Sequence, residues 1–537
     1  MLISHIIFKM GVISATELSR HTTADDLWLV VSRTVYDLTD FAPSHPGGLD
    51  ILLRYAGQDA TEAYNRAHSP SLITTSLSDS KIMGRIDPST PLPAPSDMSP
   101  PVQDVSEKPP LESMISTHDF ADSAAISFPR KTYAFVSSAA TDLYTHRANT
   151  STYSLIGLRP RVLTDVSRID INTTILGHDV KSPIFVSPTS LGKLVHPEGE
   201  KEIARACKSL GIAQVVSTSA SFPIHEIAAS INQASLSSPS ASSSPLPSSS
   251  TLSTAAPSTT QNGADITQYQ NPDDIPLFFQ LYVDKARTKS ESLLRAAVQS
   301  SGVAAVFLTV DAPVPGKREA DERVRADESI SVPMSGARAG NDRSGGGLGR
   351  VMGKYIDDSI DWSAVAWLRR TVPGVPIILK GVQTSADAVK ALDHGVDGIM
   401  ISNHGGRSLD TAPPTILVLL ELQRVCPQVF DEMEVYIDGG VMRGTDVFKA
   451  LCLGATGVGI GRGALYGLNY GAPGIERYVE ILNDELQTTM KMCGVTRIDQ
   501  LHPGLLNTRA VDHLIPERVE DDDGHPYAKW RRSSSKL

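Results

Sequence analysis

From Leu111 onward the chain repeats one pattern: a short apolar run that ends on polar or glycine residues, followed by a stretch with helical spacing. Eight such runs are legible: PIFVSP from Pro183, QVVSTSA from Gln214, LFFQLYV from Leu277, AVFLTVDAP from Ala305, PIILKG from Pro376, GIMISNHGG from Gly398, VYIDGG from Val435 and GVGIGR from Gly457. Eight buried strands separated by helices predict an α/β fold, a (β/α)8 barrel with insertions, in preference to a doubly wound sheet. The chemistry of such a barrel gathers at the C-terminal ends of its strands. Those ends carry Thr189, Ser217, Gln280, Tyr282, Thr309, Asp311, Lys380, His404, Arg407, Asp438 and Arg462.

Residues 12–88 read as a separate small α+β domain. ISATELSRH has the mixture of a helix start, LWLVVSRTVYDL reads as two short strands, and the region between His45 and His68 as helical. A proline-rich linker over residues 89–110 follows, because its prolines favour an extended spacer. The barrel domain is then expected over 111–505, and a tail over 506–537. Two insertions interrupt the barrel pattern. Residues 233–265 are almost all small and polar and cannot bury a core. The loop 320–350, with the glycine-rich ARAGNDRSGGGLGR at its end, reads equally as a lid or as slack.

The composition, with 41% hydrophobic and 20% charged residues, is that of a globular protein, and a net charge of −11 gives no basic footprint for nucleic acid. Small molecules are the expected partners. Cys207, Cys426, Cys452 and Cys493 form no CxxC pair, so neither a disulfide framework nor a zinc site is expected. No apolar run reaches the roughly 18 to 20 residues needed to span a bilayer, so no membrane partner is expected. The terminal Ser535-Lys536-Leu537 matches the tripeptide read for peroxisomal import, with the cytoplasm or the mitochondrial intermembrane space as alternatives.

His45 and His68 are flanked by Leu49, Ile51, Leu52, Leu53, Tyr55 and Ala63, which are available for an apolar pocket between them. Two imidazoles opposed across a flat apolar slot are what six-coordinate haem iron requires. Two arbitrary histidines would more often be a turn cap and a surface residue. Here VYDLTDFAPSHPGG followed by AGQDATEAYNRAHS resembles the cytochrome b5 family over residues 12–88, closing on IMGRI. The resemblance implies haem b held by His45 and His68 as axial ligands, acting as a one-electron carrier.

In the barrel, SNHGGRSLD presents a base, His404, and a fixed cation, Arg407, from one loop, a pairing suited to oxidation of a 2-hydroxy acid. The ordered set LFFQLYV, TVDAP with GKRE, ILKG, SNHGGRSLD and DGGV with RGTD is similar to the FMN-dependent L-2-hydroxy acid oxidases and dehydrogenases. With its N-terminal domain the chain resembles the flavocytochrome b2 family of cytochrome-type L-lactate dehydrogenases. The resemblance implies FMN and haem b as cofactors, His404 as base and Asp311 as the carboxylate that orients it. It also implies Arg407 and Arg318 on the substrate carboxylate, Tyr282 on the substrate, and Lys380 beside the flavin. Pro188, Thr189, Ser190, Ser217, Gln280 and Thr309 would meet the flavin ring, and Asp438, Gly439, Gly440, Gly461 and Arg462 its polyol and phosphate. A homotetramer is the family's usual assembly.

Three positions depart from the family pattern. Phe135 stands where relatives carry a tyrosine that contacts substrate and haem domain, Ser219 where they carry a bulky apolar wall residue, and Met442 where they carry an arginine toward the phosphate, leaving Arg462, with Arg443 as a further candidate. The enlarged wall admits a side chain longer than a methyl group. The leading expectation is oxidation of an L-2-hydroxy acid, electrons passing from flavin to haem to a one-electron acceptor such as cytochrome c. A peroxide-forming oxidase that uses O2 is the second reading, and a catalytically weak haem-binding sensor the third.

Overall fold

Five short strands form the sheet of the N-terminal unit: β1 (Val12–Ile13), β2 (Thr22–Thr23), β3 (Asp26–Val31), β4 (Thr34–Asp37) and β5 (Ile82–Ile86), in spatial order β1-β5-β4-β3-β2. The hairpin between β3 and β4 is closed by Ser32 and Arg33, both at positive φ, the two-residue geometry whose twist matches the strands it joins. Ser14 caps the helix Ala15–Leu18 by accepting from the Glu17 amide. In the computed structural model the described residues are 11–45, 49–53, 55–61, 64, 73, 77–87, 108–233 and 275–519. The chain divides into two compact units, residues 1–106 and 107–537.

The helix expected between His45 and His68 is described over Leu49–Leu53 only; the chain then turns through Tyr55–Gly57 and bridges Asp59 to Val30. His45 is half-buried and directly follows a 3-10 turn, Ala42–Ser44, while His68 lies outside the described residues.

In the second unit β6 (Gly157–Leu158) precedes a hairpin of β7 (Thr173–Ile175) and β8 (His178–Val180). Eight parallel strands then close a barrel: β9 (Ile184–Val186), β10 (Gln214–Ser217), β11 (Leu277–Leu281), β12 (Ala305–Thr309), β13 (Ile377–Val382), β14 (Gly398–Ile401), β15 (Glu434–Asp438) and β16 (Gly457–Ile460). All eight apolar runs are therefore barrel strands. Their inward side chains, including Phe185, Phe278, Phe307, Ile378, Met400 and Tyr436, fill the barrel, and Ile175 and Val180 of the hairpin join this interior cluster. Outward side chains pack against the surrounding helices in a second, larger core. The four cysteines are free and buried. Among the described residues no helix is long and apolar enough to cross a membrane.

Two expected boundaries shift. The end of the linker belongs to the barrel unit, because Lys108 lies over the Tyr470 ring at 4.5 Å and the Tyr470 hydroxyl donates to the Pro109 carbonyl at 2.7 Å. The expected tail begins inside the fold: β17 (Leu506–Asn507) pairs antiparallel with β6, and Val511 is fully buried. Residues 520–537, with Ser535-Lys536-Leu537, lie outside the described residues, as do 234–274, nearly all of the polar insertion.

The loop 320–350 is folded rather than slack. Lys131 donates to the Asp321 carboxylate at 2.6 Å and to the carbonyls of Asp321, Val324 and Gly346. Arg350 grips Glu322 with two nitrogens and Asp342 with two. A buried ammonium with four acceptors and a forked guanidinium hold this cover against the barrel mouth.

Candidate active site

A cavity of about 460 Å³ opens at the C-terminal ends of the barrel strands. Every barrel residue singled out from the sequence lines it except Asp311 and Arg443, and Asp311 stands directly behind His404.

The loop after β14 places His404. His404, Gly405 and Gly406 all have positive φ (59°, 64° and 77°), a left-handed run that is costly for histidine and ordinary for glycine. A Cβ on Gly406 would also stand 2.7 Å from the His146 amide nitrogen, so only glycine fits there. Asn149 and Asn403 exchange two amide hydrogen bonds at 2.8 Å, and Asp410 accepts from Thr141, Asp142 and Thr145, fixing both ends of the loop. Ser402 accepts from the His404 amide at 3.1 Å and from Lys380 Nζ at 3.0 Å.

His404 Nδ1 lies 3.0 Å from Asp311 Oδ1, and its Nε2 lies 3.1 Å from the Tyr282 hydroxyl. Burial raises the pKa of Asp311, but Lys380 and His404 outweigh it and leave the carboxyl below its ordinary range. An ionised Asp311 only accepts, so it fixes the proton on Nδ1 and leaves the Nε2 lone pair toward the cavity. Burial lowers the pKa of His404, and Asp311 opposes that without reversing it. The ring is therefore neutral at neutral pH.

Three guanidiniums converge on the same cavity. Burial, then Arg318 and Arg462, depress the pKa of Arg407, a measure of how strongly the cluster lacks a counter-anion. Arg407 donates to the carbonyls of Phe135, Val136 and Ser138 at 2.7 to 2.9 Å, using three of its five N–H groups and keeping the rest for a ligand. The Phe135 ring lies between two of the cations, 5.3 Å from Arg407 and 5.8 Å from Arg318.

Along successive strands runs a polar ladder. Ser217 donates to Gln280 Oε1 at 2.9 Å and Gln280 Nε2 donates to Thr309 at 2.9 Å, with Ser190 3.4 Å from Ser217 and Lys380 following on β13. At the far end Ser187 donates to Asp438 Oδ2 at 3.1 Å, while Asp438 Oδ1 is buried with no partner. A Cβ on Gly461 would meet nothing within 4 Å, and Arg462 beside it donates to the Gly405 carbonyl at 2.7 Å. An open glycine backbone, an adjacent cation and an orphaned carboxylate oxygen suit a phosphate and a polyol. Arg443 is not available there: it pairs with Glu485 at 2.8 Å.

Sequence reasoning missed His146 and Tyr355. His146 Nδ1 is buried without a partner, and burial with Arg462 and Arg407 nearby pushes its pKa down to about 4. Neither residue belongs to a motif or period; only the folded loops bring them to the cavity.

The FMN-dependent dehydrogenase model matches residues 124–244 and 241–508. The chain belongs to that family. A second model, the cytochrome b5-like heme/steroid binding domain, matches residues 14–87. The chain is 37% identical over 514 residues to the L-lactate dehydrogenase (cytochrome) of Saccharomyces cerevisiae, covering 92% of this chain and 79% of that one. It is also 37% identical over 391 residues to a peroxisomal (S)-2-hydroxy-acid oxidase of Oryza sativa subsp. japonica, covering 72% and 94%. Among solved structures, a double mutant of flavocytochrome b2 with pyruvate bound aligns at a TM-score of 0.61 and 35% identity, over 80% of this chain and 94% of that one.

FMN and haem are the cofactors of this FMN-dependent dehydrogenase. Among the described residues of the N-terminal unit, His45 sits against Phe41 with ring centroids 5.7 Å apart. Phe41, Leu49, Leu52, Leu53 and Tyr55 are only partly buried against the core of Leu27, Leu29, Tyr36 and Leu38. An imidazole at the rim of such an apolar face fits a haem edge and its iron.

Proposed function

We propose that this chain oxidises an L-2-hydroxy acid, lactate or a larger one, to the 2-oxo acid, with electrons leaving by way of FMN and haem b to an external one-electron acceptor. The observation that carries the reading is the His404–Asp311 pair facing Arg318 and Arg407 across one cavity. A 2-hydroxy acid offers an anion for the guanidiniums and a proton for the base, and few other small molecules offer both in that geometry.

Arg407 and Arg318 hold the substrate carboxylate. Tyr282, whose phenol is kept protonated by burial and by Asp311, donates to the substrate oxygen. His404 Nε2 accepts the substrate proton, and Asp311 stabilises the imidazolium that forms. Lys380 would put a fixed cation beside the flavin, whose reduction builds up negative charge. Ser217, Gln280, Thr309, Thr189, Pro188 and Ser190 would position the ring, Asp438 the polyol, and Gly439, Gly440, Gly461 and Arg462 the phosphate. His45 and His68 would hold the haem iron. FMN supplies the two-electron acceptor and haem the one-electron carrier.

The match to a cytochrome-type dehydrogenase over 92% of the chain, against 72% for the oxidase, favours a protein electron acceptor such as cytochrome c over O2. A homotetramer and a peroxisomal address in Ser535-Lys536-Leu537 remain expectations of this reading, with the mitochondrial intermembrane space as the alternative location.

The pH profile tests the assignment of the base. Catalysis needs neutral His404, whose pKa lies below the ordinary 6.5. Activity as kcat/KM is therefore level through neutral pH and falls only as the pH drops through that depressed value. A limb with a pKa above 7 that disappears in H404Q contradicts the assignment.

Met442 lines the phosphate end of the cavity, where Arg462 is the available guanidinium. M442R is expected to tighten FMN binding by roughly tenfold, the worth of one added charge-assisted contact. Titration of the apoprotein by flavin fluorescence measures this, and an unchanged Kd counts against the phosphate assignment.

A further inference from the structure

Beyond the groups that handle the reacting carbon, the cavity has a polar far wall. Tyr355 lines the cavity, and its hydroxyl is fully buried with no hydrogen-bond partner. Burial, reinforced by Asp284, pushes its pKa up to about 12, against the opposing hydrogen-bonding pull of the Ser219 and Ser335 hydroxyls. The phenol is therefore protonated, close to the two serine hydroxyls but without a well-formed hydrogen bond to either. A buried, unsatisfied hydroxyl costs free energy, and a ligand that satisfies it recovers that cost.

The position is fixed by the backbone. The Lys285 amide donates to the Tyr355 carbonyl at 3.0 Å, and the Asp357 amide to the Val283 carbonyl at 2.8 Å. These bonds pin Tyr355 to the segment that follows Tyr282, and its phenol is near enough to help raise the Tyr282 pKa. Ser219 lines the same cavity, and its own amide is held by Ser217 Oγ at 3.1 Å.

We infer that the preferred substrate is an L-2-hydroxy acid longer than lactate whose side chain ends in an uncharged oxygen-bearing group, received by the hydroxyls of Tyr355 and Ser219. An anionic end is disfavoured by the nearby Asp284 carboxylate. This rests on the hydroxy-acid reading above and adds the chemistry of the side chain.

The test measures kcat/KM of the holoenzyme for L-3-phenyllactate and L-3-(4-hydroxyphenyl)lactate, and the inhibition constants of the two corresponding 2-oxo acids. In the unaltered protein the phenolic member of each pair is favoured by about tenfold or more, and in Y355F that ratio falls to near one. S219L, which fills the far end, lowers kcat/KM for both aromatic substrates relative to L-lactate and serves where Y355F loses its flavin. A ratio near one in the unaltered protein, or one that Y355F leaves intact, overturns the inference. Absence of turnover with every hydroxy acid overturns the underlying reading instead, while the 2-oxo acid binding ratio still decides the side-chain chemistry.

Discussion

Replacement of His404 by glutamine lowers kcat by about 10²- to 10⁴-fold, the range that a positioned general base contributes. Glutamine retains polar bulk and a donor toward Asp311 but has no atom able to take up a proton. The loss is expected on kcat rather than on binding, because Arg407 and Arg318, proposed to hold the carboxylate, are untouched by the substitution. His404 is anchored by its backbone as well as its ring: the Ser402 bond to its amide and the Asn149–Asn403 pair persist in the variant. Flavin content is therefore retained. Single-turnover flavin bleaching measures the effect directly; a decrease of less than tenfold shows that another group removes the proton.

Replacement of His45 by alanine removes haem from the N-terminal unit and abolishes reduction of cytochrome c, while the hydroxy acid still bleaches the flavin. A six-coordinate haem depends on two imidazoles, and His45 packs against Phe41, one of the partly buried apolar residues that include Leu49, Leu52 and Leu53. The barrel unit, with its own core, keeps its chemistry. The visible spectrum reports haem content, and acceptor reduction set against flavin bleaching separates the two halves of the reaction. An H45A protein that still reduces cytochrome c at the original rate contradicts the relay.

Much of this was legible in the chain because the signals are local. Eight apolar runs marked eight buried strands, and the polar residues that close each run fell on one rim because parallel strands all end there. The HPGG and SNHGGR strings point to the two proposed chemical centres, and SNHGGR falls at the barrel cavity. The boundaries were less legible: Leu506–Asn507 and Val511 looked like tail residues because their pairing with Gly157–Leu158 spans hundreds of positions. Arg443 and Arg462 look equivalent in sequence, and only the fold turns one toward Glu485 and the other toward the cavity. Tyr355 sat unnoticed beyond a glycine-rich loop, and its unsatisfied hydroxyl exists only in three dimensions.

The central claim is that a hydroxy acid oxidised in the barrel delivers its electrons to the haem. Anaerobic mixing of the FMN- and haem-replete protein with L-lactate and with longer L-2-hydroxy acids, followed by visible spectroscopy, tests it most directly. Bleaching of the flavin bands followed by growth of the reduced-haem bands is the predicted result. A flavin that bleaches while the haem stays oxidised, to be reoxidised only when O2 is admitted with formation of peroxide, would contradict it.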